Sequence, residues 1–250
     1  MKRLIDVVVA VIAILVFFPL IAITSFLIVA QDGKSPFYIP IRVGKDGLPF
    51  RLFKLRSMVA DAEKTRVDTT AIDDFRITKI GHFIRKYKLD ELPQFFNVLK
   101  GEMSLVGPRP NIRREVDLYT DEEKKILIIK PGITDISSIV FADLASILAG
   151  SKDPNLDYNQ LIRPWKSRLI LFYLDNSDLK MDIQILLITL ISVFSPKTGC
   201  LFMSKVLEKR GAPSELVAIC TNNKELRPMP PPGSQQVVIT RDIIGDTKDF

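Results

Sequence analysis

Two dense apolar blocks bracket a long amphipathic middle in this chain. The first, Leu4 to Ala30, carries a single charge, Asp6, and is long enough to cross a bilayer core as a helix. The second, Met181 to Phe194, is apolar nearly all round but shorter than a comfortable span, which predicts a buried or interfacial helix. Between them, Pro36–Val43 and Leu48–Arg56 alternate, with Phe50, Leu52 and Phe53 set against Arg51, Lys54 and Arg56. Asp46-Gly47 supplies a turn, so this stretch reads as a β-hairpin. Its cations lie near the end of the first block, where they suit lipid headgroups, a phosphate or simply a solvated basic face.

Further along, residues 59–74 are polar and read as a short helix and a loop. Ile77, Ile80, Ile84 and Tyr87 then recur at helical spacing, with Lys79, Arg85 and Lys86 on other faces. A helical run from Gln94 through Asn97 and Leu99 is closed by Gly101. Another helical pattern spans residues 115–129, with Thr120 or Asp121 as N-cap and Lys130-Pro131-Gly132 as its stop. Ala142 to Leu148 is predicted helical up to Gly150, and two helices near 157–175 and 179–194 complete the body. Beyond Gly211, Arg227 to Gly233 is a proline-rich linker, extended or disordered, and Gln235 to Thr240 alternates like a strand with no obvious partner. The fold class predicted is mainly α with a small β-hairpin: a kinked re-entrant membrane helix over 1–33 and a compact catalytic domain with amphipathic interfacial helices over 34–208. A tail over 209–250 follows.

The flanks of the first block decide its topology. Lys2 and Arg3 precede it, while Lys34, Arg42, Lys45 and Arg51 follow. A simple span would place one basic flank outside, against the positive-inside tendency. Pro19 removes a helix hydrogen bond mid-segment and can kink the axis, so a helix that enters and leaves by one face satisfies both flanks. The block exceeds a signal-peptide core, and Ile28-Val29-Ala30 is a poor cleavage site. Either topology is expected to leave the body facing the cytoplasm, and the membrane expected is the cell's inner membrane.

Composition narrows the partners. The 250 residues carry a net charge of +6, which admits nucleic acid, anionic lipid or phosphorylated ligands. No nucleic-acid recognition motif accompanies that charge. Cys200 and Cys220 follow no metal-ligand spacing, and one histidine, His82, excludes any mechanism that needs two. Its reading is a surface or packing residue.

The chemistry concentrates at Lys88-Leu-Asp-Glu-Leu-Pro-Gln94. Asp90 and Glu91 stand between a basic segment and Gly107-Pro-Arg-Pro110, a rigid turn that presents Arg109. Neighbouring acids at a helix start often only complement its dipole. Here they can also hold a metal or attack phosphorus to form an acyl phosphate, and no glycine-rich phosphate loop or serine elbow offers another nucleophile. A Mg²⁺ would offset the repulsion between a carboxylate and a phosphate.

Lys88–Gln94, Asn97-Val-Leu-Lys-Gly-Glu-Met-Ser-Leu-Val-Gly-Pro-Arg-Pro110 and Lys130-Pro-Gly-Ile-Thr134 resemble motifs of the bacterial sugar transferases, the monotopic polyprenyl-phosphate phosphoglycosyl transferases. Lys2–Asp6 and Phe53–Met58 are similar to the family too, so the resemblance covers about residues 2–200. It implies transfer of a sugar 1-phosphate from a nucleoside diphosphate sugar to undecaprenyl phosphate, which starts polysaccharide or glycoconjugate assembly. It makes Asp90 the nucleophile of a covalent phosphosugar intermediate, and Glu91 a Mg²⁺ ligand or an aid to the acceptor phosphate, with Asp90 a second metal donor. Arg109 would hold a diphosphate oxygen, with Arg85 a lesser candidate. Membrane lipids complete the expected partners, and a homo-oligomer is left open. Many members continue the Pro-Gly-Ile-Thr motif with Gly-Leu and a later Gly-Arg; this chain reads Asp135-Ile-Ser-Ser-Ile-Val-Phe-Ala-Asp143, a segment expected to touch nucleotide or sugar. A catalytically silent membrane scaffold of a glycan assembly complex is the alternative. Intact Asp90, Glu91 and Arg109 oppose it.

Overall fold

The computed structural model describes residues 1–62, 74–221 and 226–239. Its elements in chain order are α1 (Lys2–Asp32), β1 (Phe37–Tyr38), β2 (Ile41–Val43), β3 (Pro49–Arg51), β4 (Lys54–Leu55), α2 (Lys79–Lys86) and α3 (Gln94–Lys100). β5 (Ser104–Val106), α4 (Arg113–Val116), α5 (Asp121–Lys124), β6 (Gly132–Thr134), α6 (Ile136–Val140), α7 (Leu144–Ile147) and α8 (Pro154–Asp157) follow. A π-helical turn, Tyr158–Ile162, leads into α9 (Arg163–Asn176), α10 (Leu179–Phe194), α11 (Pro196–Lys209) and α12 (Ser214–Ala218). The architecture is mainly helical with small sheets.

The first apolar block is one 31-residue helix, about 46 Å long at 1.5 Å per residue. Pro19 lies inside it with helix on both sides, and Gly33 ends it at φ 70° by returning its N–H to the Val29 carbonyl. A narrow stripe including Asp6, Ala10, Ala13, Ile21 and Ile28 is buried, while Leu15, Val16, Phe18 and Phe26 stay exposed. Both ends are fastened to the body. Lys2 Nζ meets Asp182 Oδ2 at 2.6 Å, and Asp6 accepts from Ser104 Oγ at 2.9 Å and the Leu105 N–H at 3.1 Å. Arg3 donates to the Val98 and Leu99 carbonyls at 2.5 and 3.0 Å, filling acceptors that the last turn of α3 leaves open. At the far end Arg56 grips Asp32 through two bonds of 2.5 and 2.6 Å.

The predicted hairpin forms in two steps. β2 pairs with β3 from Ile41↔Arg51 to Val43↔Pro49, and β1 pairs with β4 through Phe37↔Leu55 and Tyr38↔Lys54. Asp46 and Gly47 make its turn at φ 58° and 75°. α2, α3 and the Thr120 cap also appear as predicted, although residues 115–129 divide into α4, α5 and a 3₁₀ turn. The helix and loop predicted over 59–74 fall largely outside the described residues.

Several expectations are corrected. β5 and β6 form a parallel pair, Ser104↔Gly132 and Val106↔Thr134, that the pattern did not announce, because three-residue strands are too short to show a period. The body does not end at α10: α11 follows at once and α12 adds Leu216 to the core. Pro196 and Gly199 look like breakers, yet proline suits the first helical turn, and a Cβ on Gly199 would lie 2.6 Å from that of Ser192 where α10 and α11 cross. The strand-like stretch from Gln235 forms no strand among the described residues. Instead, residues 229–238 lie against the body, with the Met229 N–H on the Gln160 carbonyl at 3.1 Å and Gln160 Nε2 on the Val238 carbonyl at 2.7 Å.

The core gathers Met103, Leu105, Ile136, Ile139, Leu169 and Met181 with residues from α10 and α11. α10 is only half buried: Met181, Ile185 and Ile188 face inward, while Leu187, Leu190 and Phe194 are exposed.

Candidate active site

Asp90 and Glu91 stand on a 3₁₀ turn, Leu89–Glu91, immediately before α3. The turn is entered through Lys88 in the left-handed region at φ 53°, a conformation that costs energy for a side chain of this kind. Lys54, delivered by β4, reaches both acids: its Nζ is 2.9 Å from Asp90 Oδ2 and 3.6 Å from Glu91 Oε1. Arg109 Nη2 donates to the same Glu91 Oε1 at 2.7 Å. The acids are nearly enclosed, with side chains 9% and 16% exposed, whereas the Arg109 side chain is 41% exposed. Arg109 is therefore the rim of the site and Asp90 its floor.

Two devices bring these distant segments together. Asn97, fully buried on α3, accepts from the Phe53 N–H at 2.9 Å and donates to the Arg51 carbonyl at 2.6 Å. The hairpin is thereby fixed so that Lys54 lands on Asp90. The second device is a backbone crossing: a Cβ on Gly132 would lie 2.1 Å from the Gly107 nitrogen, so only glycine fits there. That approach sets the Arg109 turn beside the start of α6. Asp135 then accepts from the Arg109 N–H at 3.1 Å and also from Ser137 Oγ and the Ser138 N–H at 2.8 and 2.5 Å. Asp135 thus ties the arginine turn to the start of α6.

The electrostatics follow from this crowding. Burial alone would raise the Glu91 carboxyl, but the Arg109 and Lys54 charges outweigh it and hold it below the ordinary carboxylate range. Glu91 in turn raises Arg109. Burial lowers the Lys88 ammonium against the opposing pull of Glu91. Burial also lowers Lys166 on α9 to about 8, with Asp135 opposing.

Asp90, Glu91 and Arg109 are brought together as the sequence suggested. Arg85 is not among them; it sits on α2, bonds to neither acid, and its charge acts on Asp74. Pro19 lies on the exposed side of α1, far in function from this cluster. His82 is exposed on α2. Lys54 and Asn97 escaped sequence reasoning as members of the site, because only tertiary contacts reveal them; Asp135 lies in a segment expected to touch nucleotide or sugar, but its bond to Arg109 was not foreseen.

A metal was also expected. Among the described residues no three His, Cys, Asp or Glu side chains converge. Mg²⁺, however, is commonly held by one or two carboxylates together with substrate phosphates and water. Asp90 Oδ1 and Glu91 Oε2 accept no hydrogen bond from described residues, so each acid keeps one oxygen for such a role. The donor set fits.

Comparison with known proteins bears on this geometry. A model of the bacterial sugar transferases matches residues 1–196, and the chain belongs to that family. It is 37% identical over 200 residues to the galactosyl transferase CpsE of Streptococcus agalactiae, covering 76% of this chain and 41% of that protein. It is 42% identical over 142 residues to the UDP-N-acetylgalactosamine-undecaprenyl-phosphate N-acetylgalactosaminephosphotransferase of Aeromonas hydrophila, covering 56% of this chain and 34% of the relative. A putative undecaprenyl-phosphate N-acetylgalactosaminyl 1-phosphate transferase of Bacillus subtilis is 49% identical over 133 residues, 53% of this chain and 70% of that protein. The match thus spans less than half the length of the first two relatives.

Proposed function

We propose that this bacterial sugar transferase moves a sugar 1-phosphate from a nucleoside diphosphate sugar to undecaprenyl phosphate, with Asp90 as nucleophile. The observation that carries the reading is an enclosed aspartate held by Lys54 beside a Glu91–Arg109 pair, on a body fastened to a long apolar helix. The names of the relatives support the reaction class.

In the first half-reaction a carboxylate oxygen of Asp90 attacks the phosphorus that bears the sugar. A new P–O bond forms, the phosphoanhydride breaks, and the nucleoside monophosphate leaves with the bonding pair. In the second, a phosphate oxygen of undecaprenyl phosphate attacks the same phosphorus and releases Asp90 as carboxylate. Lys54 orients Asp90, and Arg109, exposed at the rim, binds a diphosphate oxygen. Glu91 and Asp90 would hold Mg²⁺, which supplies charge neutralisation on the phosphate oxygens.

The anchor reading is a kinked, re-entrant helix that leaves the body on the cytoplasmic face of the inner membrane. Its support is that Lys2, Arg3 and Asp6 at one end and Asp32 at the other bond to the same body. A straight crossing would carry one end away from it. The exposed side chains of α10, Leu187, Leu190 and Phe194, would then face lipid as an interfacial surface.

The test is Asp90→Asn assayed with a radiolabelled sugar nucleotide and undecaprenyl phosphate. Loss of lipid-linked product in a variant that melts like the parent is expected. Undiminished product removes Asp90 from the reaction.

A further inference from the structure

In the tail, one stretch has its backbone conformation dictated by sequence. Proline fixes its own φ near about −65° and pushes the residue before it into extended backbone. From Arg227 to Pro232 every residue is a proline, precedes one, or does both. The stretch is therefore set as a polyproline II strand before anything binds it.

The body meets this strand bond by bond. Met229 carries the single N–H between Pro228 and Pro232, and donates it to the Gln160 carbonyl at 3.1 Å. Pro164, four residues beyond Gln160, has no N–H to return to that carbonyl, so the π-helical turn leaves an acceptor for the tail. Arg168 on α9 donates from Nη1 to the Pro164 carbonyl at 3.0 Å and from Nη2 to the Pro230 carbonyl at 3.1 Å. Thr120 accepts the Glu123 N–H at 3.1 Å as the cap of α5, which leaves its O–H to meet the Pro232 carbonyl at 2.5 Å. Pro231 is buried between these two clamps, and its carbonyl takes the Ser234 N–H at 3.1 Å. Gly233 then turns the chain at φ 79°, where a Cβ would lie 2.9 Å from that of Glu122. Glu123 accepts from both Arg163 and Ser167, and so holds the α5 and α9 walls together.

We propose that the groove between the start of α5, the π-helical turn and α9 is a docking site for proline-rich peptide segments, with the chain's own Pro228–Pro232 as its resident ligand. Its readers are the Gln160 carbonyl for the lone N–H, and Arg168 and Thr120 for two carbonyls on either side of a buried proline. A preformed polyproline strand loses little entropy on docking, which makes such sites workable with few bonds. Leu226 packs against the main core, whereas Met229 to Val238 are attached through surface hydrogen bonds, the kind of segment that opens locally at low cost. A partner's segment of the same chemistry competes with a tethered tail whose effective concentration is on the order of mM, so the tail closes the groove to weak ligands. The proposal is independent of the transferase reading, since it uses no residue of the Asp90 site.

The experiment uses full-length protein in detergent and a labelled synthetic peptide of residues 226–239, with binding read as fluorescence anisotropy. Gly233→Val places a β-branched residue at positive φ against Glu122 and is expected to release the tail while leaving the groove intact. The peptide should then bind Gly233→Val at least about tenfold more tightly than wild type, whose own tail competes. Equal binding to the two proteins, or binding to neither, overturns the proposal. Adding Arg168→Ala to Gly233→Val should weaken the peptide about tenfold or more, as for loss of a charge-assisted hydrogen bond, and an unchanged affinity overturns the groove. Hydrogen exchange needs no variant: the Met229 amide of wild type should exchange about tenfold or more slowly than in the free peptide. Equal rates would mean that the segment is not docked, and the proposal fails.

Discussion

Arg163–Glu123 and Arg109–Glu91 are the same chemical pair in opposite settings. Glu123 is fully buried, and its side-chain oxygens accept from Arg163, from Ser167 Oγ at 2.6 Å and from the Thr120 N–H at 3.1 Å. Arg163 also donates to Asn159 Oδ1 at 3.1 Å and to the Leu118 carbonyl. Both carboxylate oxygens and all three guanidinium nitrogens find partners within the protein, which is the condition under which a buried charge is tolerated. Around Glu91 the network stops short: one oxygen accepts no hydrogen bond from the described residues, and Arg109 reaches solvent. A closed network holds α5 against α9. An open one of like composition keeps valences for a ligand.

The sharpest way to break this contrast is to cut the closed pair. Glu123→Ala strands a buried guanidinium and should cost about 3–5 kcal/mol in urea unfolding, with activity lost only as the protein unfolds. At the open pair the effects should be reversed: Arg109→Ala is expected to lower kcat/KM for the donor about 10²–10³-fold, with stability changed by less than about 1 kcal/mol. If Arg109→Ala unfolds the protein instead, the distinction between the two pairs collapses. Asn97→Ala lies between them. It leaves the Phe53 N–H and Arg51 carbonyl unpaired, so a loss of about 1–3 kcal/mol should accompany a fall in activity as Lys54 shifts from Asp90.

The smallest effect is in pH. Glu91 is depressed in the folded state, so its contribution is present above the unfolded value and fades only as pH falls below it. The melting difference between wild type and Glu91→Gln should stay level from about pH 8 to about pH 5 and shrink once pH drops below about 4.3. A difference that vanishes already near neutrality would mean that Arg109 and Lys54 do not hold Glu91 ionised.

Much of this was legible because it is local. The unbroken apolar run announces α1, Gly101 closes α3 in the left-handed conformation, and Thr120 caps α5 with Glu123 as its capping-box partner. Asp90, Glu91 and Arg109 stood out by residue type and neighbours. What stayed hidden depends on contacts far apart in the chain. Nothing in the spacing of Gly107 and Gly132 says that they touch, and without that contact β5, β6 and the Arg109–Asp135 bond cannot be foreseen. Arg85 illustrates the converse: near Asp90 in sequence, it sits on α2 and bonds to neither acid of the site. Asp135 read as a departure from the family text, and its placement turns it into a support for Arg109.

The central claim is that Asp90 carries the sugar phosphate covalently. Full-length protein incubated with a panel of nucleoside diphosphate sugars, without undecaprenyl phosphate, can be digested and the peptide containing Asp90 weighed by mass spectrometry. The account predicts one added sugar phosphate on that peptide, removed when undecaprenyl phosphate is supplied and absent in Asp90→Asn. Lipid-linked product formed with no adduct on Asp90 would contradict it.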